Sequence, residues 1–471
     1  MSARTENNME GRVPTLEKFA YGMRAFSQQL GTNGMKMFAF PAYGMILGLD
    51  AGLIGLVFAL MRVYDAFTDA IMGWISDNTR SRWGRRRPFI FVGAIGGGLA
   101  FALLWLPSAE WTDAAKFGYF AVMSVLFYTF FTIMVVPADA LGWELTPDYA
   151  ERTRVMSWFS SVVKVALMVM PWMFALTQAP FWGSEQQGLQ VVGAIFGALF
   201  ALTGILPAIF CRERNYKLAS KEGQQPFFQT LKMTLGNRTI LLVYAFVVAA
   251  LLGGTAFGLF GTHLAVYYLF QGDKARGAAF FGTISVIGSV VGLLAIAAIN
   301  RWFIQSDKRY VVLASLALAV AGWLSALFFI TDANPWLMIV PVAMNAIGVS
   351  GVFLLLGSIM ADVADDDELR HGYRREGAIG SFSSFCGKLS GTIPAVLGGA
   401  LLSWVGFDGK LPAQSETTLA WMRGIVIVFP ILGFSAAFFI MWMYPLSKGR
   451  MLAVRAELER RRGSVLQEAN P

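Results

Sequence analysis

The chain has 471 residues, of which 56% are hydrophobic and only 14% are charged, and its mean hydropathy is +0.55. A soluble domain of this composition would expose large apolar patches to water, so the composition indicates a membrane protein. The net charge of +8 is explained by basic loops beside anionic lipid and does not call for a nucleic-acid partner. Two cysteines argue against a disulfide framework.

Apolar stretches long enough to cross a bilayer recur along the chain, and they predict twelve transmembrane helices. Basic residues concentrate after the second and sixth of these helices and in the C-terminal tail, which predicts that both termini are cytoplasmic. The predicted fold is therefore an all-α membrane protein with two six-helix bundles. Its predicted parts are a cytoplasmic tail at 1–18, a first bundle at 19–210, a cytoplasmic linker at 211–238, a second bundle at 239–444 and a cytoplasmic tail at 445–471.

The predicted second helix carries Arg62, Asp65 and Asp69 at spacings of three and four residues, which places them on one stripe. An ionisable residue at the centre of a membrane helix costs about 2.5 to 3.5 kcal/mol on insertion scales, so these residues must face a polar cavity or each other. Clustered carboxylates suit a monovalent metal ion or a proton, and Asp65 and Asp69 are its predicted ligands. The alternative is an internal salt bridge with Arg62.

Acidic runs followed by paired arginines close both the fourth and the tenth predicted helices, at 143–154 and 361–375. This echo predicts a parallel repeat, in which substrate binds between the two bundles near mid-membrane. The acidic residues of the second run are expected to pair with basic loops, with metal binding as a remote alternative. They are Asp362, Asp365, Asp366, Asp367 and Glu368.

The run DAFTDAIMGWISDNTRSRWGRRRP at 65–88 resembles the signature of the glycoside-pentoside-hexuronide:cation symporter family. Two further stretches resemble other signatures of that family, namely residues 136–152, with Val-Pro, Ala-Leu and Glu-Arg pairs, and residues 361–388. The resemblance implies the major facilitator fold. It also implies transport by alternating access, coupled to sodium or a proton.

In the melibiose permeases of this family, two aspartates, a neighbouring polar residue and a threonine of the fourth helix hold the cation. The matching positions here are Asp65, Asp69, Thr68 and Thr132. Thr68 stands where the permease has Asn, which leaves the choice of ion open. Lys388 matches a lysine that links cation and substrate, so it and Arg62 are the predicted coupling residues; the alternative for Lys388 is a side chain that reaches the membrane interface.

The sugar positions of the permeases are not preserved, because two carboxylates, an arginine and a tryptophan are replaced by Gln29, Val135, Ser160 and Asp139. Lys36 and Lys164 suit an anionic substrate group; the alternative is that they pair with Asp139 or reach the membrane interface. The predicted substrate-binding set is Gln29, Asn33, Lys36, Asp139, Ser160, Lys164 and Ser384.

The loop after the second predicted helix resembles the general major facilitator motif, in which an aspartate and arginines hold neighbouring helix ends on the cytoplasmic side. The predicted gating residues are Gly73, Asp77, Arg85 and Arg86. His263 in the seventh helix is assigned no role. The C-terminal tail, with apolar Met451, Leu452, Val454 and Leu458, is predicted either as an amphipathic helix on the membrane or as a solvated tail.

The expected function is import of a sugar, glycoside or uronide-like solute together with a cation, across a bacterial inner membrane. A sodium-coupled lysophospholipid symporter is the alternative, left open by apolar Met35, Met37, Phe38 and Phe40. No enzymatic activity and no cofactor beyond the coupling ion are expected, because no GxxxxGK[ST] nucleotide loop occurs in the sequence. The expected partners are the transported solute and membrane lipid, and the chain is expected to be a monomer.

Overall fold

A computed structural model describes residues 13–146, 149–213, 236–303, 306–371, 393 and 396–468, and the regular structure within these ranges is helical. The helices are α1 (Thr15–Gln29), α2 (Met35–Pro41), α3 (Ala51–Asn78), α4 (Arg87–Leu103), α5 (Asp113–Glu144), α6 (Tyr149–Val169), α7 (Trp172–Thr177), α8 (Glu185–Phe210), α9 (Arg238–His263), α10 (Lys274–Trp302), α11 (Lys308–Phe329), α12 (Ile339–His371), α13 (Glu416–Trp442) and α14 (Lys448–Glu468). A further helix covers 396–404, and a short 3₁₀ helix covers Pro335–Met338.

Seven of the described helices are long and apolar enough to cross a membrane, namely α3, α5, α8, α10, α11, α12 with its 3₁₀ start, and α13. The helix α4 is apolar but shorter, and so is the apolar stretch Arg238–Gly254 at the start of α9. The fifth predicted crossing is interrupted between α6 and α7, where Pro171 stands, and most of the eleventh lies outside the described residues. Twelve crossings and cytoplasmic termini therefore stay predictions.

The first predicted crossing is a chain of α-helical and π-helical segments. A π-helix at Leu30–Gly34 separates α1 from α2, and a second one at Ala42–Ile46 follows α2. The helix α9 of the second half also runs into a π-helix, at Leu264–Leu269. A glycine with positive φ follows the π-helix at Ala42–Ile46 and another follows the π-helix at Leu264–Leu269. They are Gly48, with a φ of 70°, and Gly272, with a φ of 94°. The first helix of each half thus ends in the same way, and π segments of this kind occur often at functional sites.

The chain divides into two compact units that do not coincide with its two halves. The first unit contains Met1–Gly223, Thr262–Ser285 and Ala395–Leu419, and the second contains Gln224–Gly261, Val286–Pro394 and Ala420–Pro471. Inside the first unit α4 packs closely on α8, because a Cβ at Gly98 would lie 2.5 Å from the carbonyl oxygen of Gly197. Most of the predicted linker at 211–238 lies outside the described residues.

The C-terminal tail forms α14 and packs on α12. Three of its four apolar residues, Met451, Val454 and Leu458, are buried against protein, whereas Leu452 is exposed. The carboxylate of Asp307 accepts a hydrogen bond from the N–H of Lys448 at 3.0 Å. The tail is therefore helical, as one of the two alternatives predicts, but most of its apolar face meets α12 and not lipid.

Candidate functional site

The stripe of α3 contains an ion pair at its centre. The helix is capped by Asp50, whose carboxylate accepts hydrogen bonds from the N–H groups of Gly52 and Leu53. Three turns further on, Nη1 of Arg62 donates to Oδ2 of Asp65 at 2.8 Å. Asp65 is only 7% exposed, so the guanidinium offsets much of the cost of burying this carboxylate.

A hydroxyl group from α5 lies between the two aspartates of the stripe. Oγ1 of Thr132 is 3.3 Å from Oδ1 of Asp65 and 3.3 Å from Oδ1 of Asp69. The Thr68 hydroxyl instead donates to the carbonyl oxygen of Tyr64, at 3.2 Å, on its own helix. The structure thus brings three of the four predicted ligands into contact. Two carboxylates and a hydroxyl are oxygen ligands of the kind that hard cations prefer.

Two residues outside the predicted cation set belong to this group as well. Tyr128 is buried one turn before Thr132 and lies close enough to Asp65 and Arg62 to interact with both electrostatically. Its spacing of four residues from Thr132 is the sequence signal that would have found it. Lys36 also interacts with Arg62 and Asp65. The sequence predicts that Lys36 lines the substrate site, whereas the structure places it within electrostatic reach of Asp65 and Arg62 on α3.

Asp139 forms a second charged group with a residue that the sequence analysis missed. Its Oδ1 accepts a hydrogen bond from Nη2 of Arg24 at 2.5 Å, and the same nitrogen is 2.9 Å from the Tyr21 hydroxyl. The guanidinium lies over the rings of Tyr21 and Phe159, at 4.6 and 4.9 Å. The alternative in which Asp139 pairs with a lysine is therefore wrong. Arg24 lies within the first predicted helix, and its charge there was the available signal.

The other predicted substrate residues are distributed over the first crossing and α6. Nδ2 of Asn33 donates to Oε1 of Gln29 at 2.7 Å, and both side chains are half-buried. On α6, Ser160 is exposed and Lys164 is half-buried one turn later. Within the described ranges, Lys164 makes no ion pair. Ser384 and the coupling residue Lys388 lie outside the described residues.

Asp77 at the end of α3 is the centre of the predicted gating residues. Nη2 of Arg86 lies 3.3 Å from its Oδ1, and Nη2 of Arg85 lies 3.9 Å from the same oxygen. Gly73 lies one turn earlier on α3. Packing does not require a glycine at this position, because a Cβ there would lie 3.9 Å from the side chain of Val136, an ordinary van der Waals distance. Their role in gating stays a prediction.

Glu213 is a missed partner of the same loop. Its carboxylate accepts hydrogen bonds from the N–H groups of Arg85 and Arg86, both at 2.8 Å, and of Arg87 at 3.3 Å. Nε of Arg87 in turn donates to the carbonyl oxygen of Ala208 near the end of α8, at 2.6 Å. The start of α4 is thereby tied to the end of α8, and a carboxylate at a helix N-terminus is favourable electrostatically.

The acidic run at the end of α12 finds partners within the second unit. Oδ2 of Asp362 pairs with Nζ of Lys308 at 2.5 Å. Asp366 pairs with Arg370 at 2.7 Å and approaches Arg450 at 3.5 Å. In the part of the chain that the structure describes, no group of three or more His, Cys, Asp or Glu residues is placed to hold a metal ion. In the first unit, His263 of α9 is buried with its ring edge-on to Phe407.

Known proteins resemble this chain over nearly its whole length. The family model "MFS/sugar transport protein" matches residues 20–448. The "Putative glycoside/cation symporter YagG" of Escherichia coli (strain K12) is 26% identical over 90% of this chain and 90% of its own length. The "Putative sulfoquinovose importer" of Salmonella typhimurium is 24% identical, over 95% and 93% respectively.

A solved structure has the same fold. It is the inward-facing, unoccupied crystal structure of a bacterial homologue of the human lysosomal transporter Spinster, which matches with a TM-score of 0.66 at 13% identity and covers 94% of this chain and 96% of its own. The family match and the relatives confirm the resemblance noted in the sequence, and they identify a multi-pass membrane transporter that is not an enzyme. The chain belongs to the MFS/sugar transport protein family.

Proposed function

We propose that the chain is an inner-membrane symporter that imports a sugar, glycoside or uronide-like solute by alternating access, coupled to sodium or a proton. The observation that carries this proposal is the convergence of Asp65 and Asp69 on the hydroxyl of Thr132. Carboxylates inside a membrane bundle are retained despite their insertion cost where they serve an ion or proton pathway. The E. coli relative named as a glycoside/cation symporter supports the same function.

The solute itself carries a negative charge in this proposal. Asp139 is engaged by Arg24, so it does not neutralise Lys164, which is half-buried on α6 without an ion pair in the described ranges. A half-buried ammonium favours an anionic partner such as a carboxylate or sulfonate. The Salmonella relative is named as an importer of sulfoquinovose, a sugar with a sulfonate group.

The apolar residues behind the lysophospholipid alternative do not form an open lipid groove. Met35, Phe38 and Phe40 are each at most 1% exposed, and Met37 is half-buried. These side chains pack inside the first unit, as shown by the ring of Phe38, which lies 4.5 Å from that of Trp105. Neither of the two relatives described above has a lipid in its name. We therefore propose a sugar-type solute alone.

Uptake into proteoliposomes tests both parts of the proposal. Labelled methyl glucuronide, sulfoquinovose and neutral methyl glucoside are supplied with an inward sodium gradient, an inward proton gradient or neither. We expect an anionic sugar to accumulate above its outside concentration under one gradient and to leak out when an ionophore collapses that gradient. Simple equilibration under every condition would contradict symport, and equal accumulation of the neutral glucoside would contradict the charge requirement.

Substitution of Lys164 isolates its contribution. Loss of a desolvated charge partner costs about 2 to 5 kcal/mol, so Lys164→Ala should weaken binding of the anionic sugar at least about tenfold. Binding of the neutral glucoside should change little, and Lys164→Arg should retain most of the affinity. Equal losses for charged and neutral sugars would show that Lys164 is a structural residue, and the anionic solute would then have to be abandoned.

A further inference from the structure

The register between α2 and α3 sets which residues of the first two crossings face each other. The rings of Phe40 and Phe58 are stacked with centroids 6.0 Å apart. One turn away, Ile54 lies opposite Gly44, where a Cβ would be 3.9 Å from its Cδ1. The two helices pack together and are joined by the π-helix Ala42–Ile46, which contains Gly44, and a short loop, so they run antiparallel.

One turn in the other direction this register brings Lys36 level with Arg62. In antiparallel helices, a step of four residues back on one helix corresponds to four residues forward on the other, which leads from Phe40 and Phe58 to this pair. Lys36 is half-buried and lies within electrostatic reach of Arg62 and Asp65. Helix geometry and electrostatic interactions therefore place its ammonium in the same group.

The group contains charges of both signs. Arg62 and Lys36 are positively charged, and Asp65 and Asp69 are negatively charged. An ion that binds between the two carboxylates therefore enters a group that already contains a second, covalently attached cation. That cation repels an incoming ion whatever other contacts the lysine makes.

We propose that the ammonium of Lys36 is a tethered cation that competes with the transported ion at Asp65, Asp69 and Thr132. The inference rests on the proposed function, because it assigns to Lys36 the control of affinity at the ion site of a symporter. Lys36 is a specificity-determining residue in this proposal. The positive charge of the lysine already neutralises part of the negative charge of the carboxylates. The wild-type chain therefore binds sodium only weakly.

The size of the effect follows from Coulomb's law. Two unit charges several ångströms apart, at an effective dielectric constant of about 20, repel each other strongly enough to change a binding constant by more than about tenfold. Substitution by methionine keeps an unbranched side chain of similar length and removes only the charge. Substitution by arginine keeps the charge.

Sodium binding to the purified full-length protein is the test, measured by titration calorimetry and by sodium-dependent thermal stabilisation. We expect Lys36→Met to bind sodium at least about tenfold more tightly than the wild type, while Lys36→Arg stays as weak as the wild type. Lys274→Met is the matched control, because it removes another half-buried lysine of the same unit outside both proposed binding sites, and its sodium affinity should not rise. Unchanged or weaker sodium binding by Lys36→Met, or an equal gain in Lys274→Met, overturns the proposal.

Two further measurements separate this inference from the proposed function. If Lys36→Met does not give a monodisperse protein, Lys36→Gln replaces it with the same expected gain. Gradient-driven sugar uptake by the wild type is measured in parallel. Absence of uptake together with tighter sodium binding by the variant contradicts symport but supports the tethered cation, whereas normal uptake without the gain in binding contradicts the tethered cation alone.

Discussion

Two charged groups in the first unit are built from the same residue types but differ in how the charges are matched. In one, the guanidinium of Arg24 is paired with a single carboxylate, Asp139, and packed over aromatic rings. In the other, Arg62 pairs with Asp65, while Thr132 also reaches a second carboxylate, Asp69. The first group is a one-to-one ion pair between a buried guanidinium and a partly exposed carboxylate, with aromatic support. The second has oxygen ligands from two helices arranged around a common point.

The difference indicates which buried charges stabilise the fold and which are available for an ion. A one-to-one pair under aromatic rings is a structural feature, whose loss leaves a partner charge buried. Two carboxylates that share one hydroxyl group have the oxygen ligands for an ion between them, which is the arrangement that the proposed symport requires. The predictions below test this distinction.

The largest effect is expected from Asp69→Asn, and likewise from Asp65→Asn. Each removes one charged ligand from the ion site, so gradient-driven accumulation of sugar should be abolished while the protein remains folded. Uptake into proteoliposomes and size-exclusion profiles measure the two properties. Asp332→Asn, which changes an exposed loop aspartate, is the control and should accumulate sugar normally. Full accumulation of sugar in both variants would show that Asp65 and Asp69 do not bind the coupled ion.

A large loss of stability, without this specific loss of coupling, is expected from Asp139→Leu. The substitution leaves the buried guanidinium of Arg24 without its carboxylate partner, and leaving a buried charge unpaired costs about 3 to 5 kcal/mol. Thermal unfolding in detergent should show the loss. The double substitution Arg24→Met with Asp139→Leu should recover much of it, because no charge is then left behind. A single variant as stable as the wild type would show that the pair contributes nothing to the fold.

A smaller, pH-dependent effect is expected from Glu151, which ties the chain before α1 to the start of α6. Burial would raise the pKa of its carboxyl, but hydrogen bonds from Lys18, Arg154 and the N–H of Val13 outweigh burial and lower that pKa. A lowered pKa means that the stabilisation is present above the unfolded-state pKa of about 4.3 and is lost as the pH falls through the lower folded-state value.

Glu151→Gln should therefore reduce the free energy of unfolding by about 1 to 3 kcal/mol at pH 7. The difference from the wild type should narrow in acid, below pH of about 4, where the wild-type carboxyl takes up its own proton. Unfolding temperatures of both proteins across this pH range measure the effect. A difference that does not change with pH would show that the carboxylate charge is unimportant and that only its shape matters.

The sequence was sufficient for features that depend on local spacing. Asp65 and Asp69 share a helical face because they are four residues apart, and the family resemblance supplied Thr132. The contact between Arg24 and Asp139 spans 115 positions along the chain, and no local pattern reports such a pairing. Lys36 was predicted to face a solute, whereas in the structure it lies within electrostatic reach of Arg62 and Asp65. Its neighbours depend on how α2 packs against α3, and the local sequence does not report this packing. The burial of Phe38 and Phe40 likewise depends on that packing.

The π-helix at Leu30–Gly34 has an evolutionary consequence. A π segment of this size contains one residue more than the α-helix it interrupts, and each residue of an α-helix turns the chain by about 100°. Deletion of a single codon in this segment would restore a regular α-helix and rotate α1 relative to α2 by that angle. The angle about the helix axis between the side chains of Gln29 and Lys36 would change accordingly. A one-residue deletion can thus change which side chains of this segment share a face without substitution of any of those side chains.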